Sequence, residues 1–194
     1  MENFIFYVEL GLNHVLDLAA YDHILFLAAM TVPFTFKSWK KVLMLATVFT
    51  IAHCFSLVLS VYEIVLVNSA VIEFFIPVTI ALTALFNIRY VKSLSEEKNV
   101  MVHAVATAFF GLIHGFGFSN YFKMLMAEEE DKLTPLLGFA TGIELSQVFI
   151  VLIVLVLAYV LQSVIKLKQR HFIMVLSVIV ILITIPMLIS TFPW

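Results

Sequence analysis

The sequence predicts an all-α protein, a polytopic membrane bundle of six transmembrane helices with an N-terminal interfacial helix. Three observations lead there. Of 194 residues, 63% are hydrophobic and 12% charged, against about 45–50% and about 25% in an ordinary soluble domain. Mean hydropathy is +1.10. Apolar stretches close to the roughly 20 residues needed to cross a bilayer recur six times along the chain.

The elements follow in order. Residues 1–20 mix Phe4, Ile5, Tyr7, Val8, Leu12, Val15 and Leu16 with Glu9, Asn13, His14 and Asp17. That mixture suits a helix lying at the membrane interface, with a seventh crossing as the alternative. Spans are expected near 21–36, 40–61, 66–88, 100–119, 135–164 and 170–190, all within one integral membrane domain, 1–194. The first is short, with Pro33 near its end, and the preceding segment is expected to cover its outer end. Residues 1–11 carry Glu2 and Glu9 and no Lys or Arg. They lack the basic region of a signal peptide, so the first segments are expected to stay in the mature protein. Cys54 is the single cysteine, which excludes an internal disulfide. No internal repeat supports an inverted-repeat transporter fold.

The loops orient the bundle. Lys37, Lys40, Lys41, Arg89, Lys92, Lys98, Lys166, Lys168 and Arg170 fall on one side; Lys123 and Lys132 fall on the other, beside Glu63 and the run Glu128 to Asp131. Positive loops stay cytoplasmic. The expected location is therefore the cell membrane, with both termini extracytoplasmic. The acidic run reads as a solvated turn that could also concentrate cations. No basic tract points to nucleic acid. The expected partners are the lipid bilayer and a divalent metal ion, with a homo-oligomer left open.

Ionisable groups within spans are expensive and mark functional sites by default. His23 sits at the outer mouth of the first span; His53, Glu73, His114 and Glu144 fall in the outer halves of the second to fifth. Thr50, His53 and Ser56 share one helical stripe, as do His103, Thr107, Gly111 and His114, and Thr141, Glu144 and Gln147. Small and hydroxylic residues on such stripes also serve helix packing. Pro77 leaves the Glu73 carbonyl without its helical donor, which would place a free backbone oxygen beside a carboxylate. Asp22 could cap a helix start or hold His23 in one tautomer. His14 could reach over the mouth of the site. Imidazole with carboxylate suits Ni, Zn, Mn, Fe or Co, and the near absence of thiols argues against a closed structural zinc site.

The residues that carry these readings also carry a resemblance. His14 with Asp22-His23, the segment Phe49-Thr50-Ile51-Ala52-His53, the segment Gly111 to Phe118 and the segment Gly142 to Gln147 resemble the HupE/UreJ family over nearly the whole chain. Family members look like small six-span permeases tied to nickel supply for hydrogenase and urease. Their first motif is a His, five residues, then Asp-His; here seven residues separate His14 from Asp22. The family's Glu after its His-Gly motif is missing after His114-Gly115, where Ser119-Asn120 follow. Glu144 is the candidate to replace it, and Glu73 the match for a third-span acid.

Two functions are therefore expected. The first is a permease importing a divalent transition metal, foremost Ni2+, through His23, His53, His114, Glu73 and Glu144, with Asp22 and His14 loading the site; Asn87 and His103 are expected first as helix–helix hydrogen-bonding residues and, as the alternative, as exit ligands. The alternative is an intramembrane zinc-dependent hydrolase or acyltransferase acting on lipid. There His23, His53 and His114 would hold Zn2+, Asp22 or Glu144 would act as base, and Ser56 would help hold an oxyanion.

Overall fold

A computed structural model describes residues 2–91, 100–127 and 129–193. Lys92, Lys98 and Glu128 lie outside the described residues. Among the described residues seven α-helices follow one another: α1 Glu2–Leu16, α2 Asp22–Thr31, α3 Trp39–Val61, α4 Ser69–Tyr90, α5 Val100–Leu125, α6 Leu133–Ser163 and α7 Gln169–Ser190. No strand occurs among the described residues. Helices α3 to α7 are each long and apolar enough to cross a membrane. The end of the bundle that carries the α3–α4 and α5–α6 connections is called upper below, and the opposite end lower.

The ten residues of α2 rise about 15 Å, half of a bilayer's hydrocarbon thickness. The direction of α1 accounts for the other half. Gly138 lies against Phe4 and Tyr7, and Gly142 against Val8 and Gly11, so α1 descends in parallel with α6 from the upper end. Helix α2 continues downward. The Ala29 carbonyl accepts from Asn87 Nδ2 at 2.7 Å, and the Pro33 carbonyl from Gln169 at 3.1 Å, near the lower ends of α4 and α7. The two short helices therefore run one after the other through the depth of the bundle, interrupted at residues 17–21. The sequence conveys the amphipathic character of residues 1–20. The structure adds that Tyr7 and Val15 are buried on its inner face while Ile5, Phe6 and Leu18 stay exposed.

Pro33 ends α2 for a chemical reason. It has no N–H to give the carbonyl four residues earlier, and that carbonyl, on Ala29, is the one Asn87 takes. At the upper end of α3 and the lower end of α6 the chain turns through non-glycine residues at positive φ, Glu63 (56°) and Lys166 (61°). There the amides of Ile64 and Leu167 return to the carbonyls of Leu59 and Leu161, satisfying carbonyls that a helix end otherwise leaves bare. Asn68 caps α4 by accepting from the Ala70 amide at 3.0 Å.

Two glycine pairs set the tightest contacts. Gly111 and Gly115 let α5 lie on α3, where a methyl at 115 would fall 2.3 Å from the His53 carbonyl oxygen. Gly138 and Gly142 do the same for α6 on α1. Small residues four apart let helix backbones approach closely in lipid. Both seams flank the histidines. The core between them is aromatic: Phe26, Phe49, Phe122 and Phe139 are all buried. Large apolar side chains cover the outside, and only 28% of the apolar window of α7 is buried. The rest of that surface calls for hydrocarbon around it.

Candidate metal site

The break between α1 and α2 brings His14, at the end of α1, to His23, in the first turn of α2. Their ring centres are 4.6 Å apart. His53 of α3 reaches the same point, with ring centres 5.8 Å from His14 and 5.7 Å from His23. One ligand nitrogen from each of the three lies within 4.8 Å of the others, a spacing that can close on a metal ion. His114 of α5 stands beside them, 5.3 Å from His23 between ring centres. His23, His53 and His114 are 3%, 0% and 1% exposed, so water does not supply their missing partners.

Hydrogen bonding leaves at least one nitrogen of each ring unused. Asp22 Oδ1 accepts from the His23 amide at 2.9 Å and lies 3.1 Å from His23 Nδ1. His114 Nδ1 lies 2.9 Å from the Phe110 carbonyl oxygen, to which it donates. Each contact fixes the proton on Nδ1 and leaves Nε2 with a lone pair, the tautomer that metal-binding imidazoles adopt when the other nitrogen is held by a carboxylate or a carbonyl. Nε2 of His14, His23, His53 and His114 are all buried without a partner, and so is Nδ1 of His53. A few unsatisfied buried groups are normal in a whole protein. Four adjacent rings, each with one lone-pair nitrogen to offer, call for a common acceptor of lone pairs, and a dication is one.

Helix ends add to this. The site sits at the C-terminal end of α1, where unpaired carbonyls favour a positive charge. The N-terminal end of α2 would oppose it, and Asp22 at that terminus offsets the effect. A cavity of about 540 Å³, lined among others by Asn13, His14, Asp17, Phe118 and Tyr121, opens beside His14. The other walls are aromatic. His14 packs on Phe118 at 3.9 Å, Phe118 stacks on Phe139 at 5.2 Å, and Phe49 lies 5.8 Å from His53.

The predicted residues divide. His14, His23, His53 and Asp22 meet, with His114 alongside. Glu144 lies elsewhere, in the groove between α3 and α6, where its two oxygens accept from Thr47 and Thr50 at 2.6 Å each. Glu73 is exposed on α4. Ser56 Oγ donates to the His53 carbonyl at 2.7 Å. Among the described residues, no acid other than Asp22 is hydrogen-bonded to these histidines. The sequence reading missed the aromatic box of Phe49, Phe118 and Phe139 and the α1–α6 glycine seam. The signals were present: 19 phenylalanines and a second Gly-x-x-x-Gly at 138–142.

A helical, multi-pass membrane protein with a buried histidine cluster able to hold a metal ion is the class that this fold and site define. A family model described as HupE / UreJ protein matches residues 1–191. The chain belongs to that family. Neither the curated proteins nor the solved structures contain a match.

Proposed function

We propose that this protein imports a divalent transition metal, foremost Ni2+, across the cell membrane. The observation that carries the reading is the set of buried, partnerless ring nitrogens on His14, His23, His53 and His114. Neutral imidazole is a good ligand for Ni2+, Co2+ and Zn2+, and membership of the HupE/UreJ family together with the family's likeness to nickel permeases favours nickel. Sidedness comes from the basic loops: Lys37, Lys40, Lys41, Lys166, Lys168 and Arg170 sit at the lower end, so the upper end faces outward. The ion enters through the cavity beside His14, sheds water onto His14, His23 and His53, and is neutralised in part by Asp22. His114 is placed to take the ion from His23 on its inward path.

The zinc-dependent hydrolase gains little from the geometry. Its proposed base Glu144 is engaged by two threonines and its proposed Ser56 by a backbone carbonyl.

The test is uptake into proteoliposomes. Wild-type protein is expected to accumulate Ni2+ or Co2+, and His23→Ala and His53→Ala to abolish accumulation while the proteins remain folded. Tight stoichiometric zinc that survives purification, with no uptake of any metal, would overturn the reading.

A further inference from the structure

Below the histidines lies a second cavity, of about 220 Å³, between α2, α4 and α5. Two polar stripes converge on it. Helix α4 contributes Thr83 and Asn87, continuing a four-residue repeat from Thr79; α5 contributes His103 and Thr107. The α5 stripe is the one that ends upward in Gly111 and His114, so a single helical face joins the two sites over roughly 16 Å. His103 is steadied by Phe34 and Phe86, with ring centres at 5.5 and 5.9 Å.

Between the sites stands an aromatic partition. Phe26 is 1% exposed and belongs to both sides. It lines the lower cavity. It also lies 5.4 Å from His114 and stacks on Phe49 at 4.8 Å. Phe110 closes the edge, 5.9 Å from Phe26. Three packed rings leave no polar contact for an ion and exclude water, which is how a hydrophobic constriction gates a pore.

Asn87 ties this partition to the helix frame. It holds the Ala29 carbonyl freed by Pro33, three residues after Phe26 on the same short helix. Helix α2 has no covalent helical continuation above, since residues 17–21 break it from α1. It can tilt by exchanging this bond, about the turn at Pro33 that Gln169 holds, carrying Phe26 away from Phe110.

We infer that Phe26 is the gate between the histidine site and an inner cation station at His103, and that α2 is the element that moves to open it. This rests on the import reading. The structure is then the state open toward the upper face and closed below.

Two measurements test it in a Cys54→Ser background. First, Thr83→Cys is exposed to a membrane-impermeant thiol reagent from either face of proteoliposomes. Modification from the lower face alone is expected, and adding Phe26→Ala should raise modification from the upper face at least about tenfold. Modification only by a membrane-soluble reagent would make the cavity a lipid-facing cleft and overturn the inference; so would an upper-face rate that Phe26→Ala leaves unchanged. Second, His103→Ala and His103→Gln should lower Ni2+ turnover about tenfold while leaving the affinity of the upper histidine site unchanged. Turnover equal to wild type would remove the inner station yet spare the import reading. A wild-type protein that accumulates no metal would sink the import reading itself.

Discussion

Gly142→Ala tests the link between helix packing and metal binding. The substitution adds one methyl, 2.1 Å from the Val8 carbonyl oxygen, 2.8 Å from the Leu12 amide nitrogen and 3.0 Å from Gly11 Cα. All three are backbone atoms, so no side chain can rotate away. To reach ordinary contact, α1 must separate from α6 by about 1.3 Å at this point. His14 is two residues past Leu12 and moves with it. Metal–ligand distances tolerate only about ±0.2 Å, so His14 leaves the coordination sphere or reaches it under strain. Displacing a group that positions or supplies a ligand lowers metal affinity by about 10–100-fold, and the overpacking itself costs about 1–3 kcal/mol of stability. Isothermal titration with Ni2+ reads the first effect and thermal unfolding in detergent the second. Gly138→Ala is the control: its methyl meets Phe4 at 2.7 Å, farther up α1 from His14, and should cost stability with less loss of affinity. Wild-type affinity in Gly142→Ala would show that α1 does not position a ligand.

Further outcomes follow from the same geometry. Asp22→Asn keeps the shape but loses the charged acceptor for His23 Nδ1, so Ni2+ affinity should fall about 10–100-fold by titration. Glu144→Gln and Glu73→Gln lie outside the cluster and should leave Ni2+ affinity within about twofold of wild type, measured the same way. A larger loss in either would put a carboxylate back in the site. Imidazole binds metal only when neutral, and these buried rings already offer a free Nε2 lone pair, so Ni2+ affinity should hold across neutral pH and fall only where acid protonates the rings; titration at a series of pH values checks this, and affinity that rises on acidification would contradict an imidazole site.

Much of the fold was legible because hydropathy alone defines membrane crossings. The five long spans matched expected apolar stretches, whereas the expected first span, 21–36, is the ten-residue α2, too short to cross alone, and the helix expected at the interface runs in series with it through the bundle. The descent of α1 beside α6 was not legible, because composition reports that a helix is amphipathic but not which neighbour its apolar face meets. In the site, imidazoles were the reliable signal: neutral at low cost, they still need a partner in lipid. Carboxylates were weaker pointers. The threonines one helical turn apart at 47 and 50 give Glu144 two donors within the α3–α6 groove, so it needs no metal to sit half-buried there. Glu73 faces outward despite its place before Pro77. The departure in the first motif also has a physical reading. Seven residues between His14 and Asp22 span the helix break, which turns the two histidines toward each other at 4.6 Å instead of stacking them along one helix.

The central claim is that imidazoles from α1, α2 and α3 bind one ion. X-ray absorption on the Ni2+-loaded protein measures this directly, since imidazole rings give a distinctive outer-shell scattering. Three or more imidazoles per nickel are expected, lost together in the His14→Ala, His23→Ala, His53→Ala triple variant. A nickel shell of oxygen atoms alone, or a spectrum that the triple variant leaves unchanged, would contradict it.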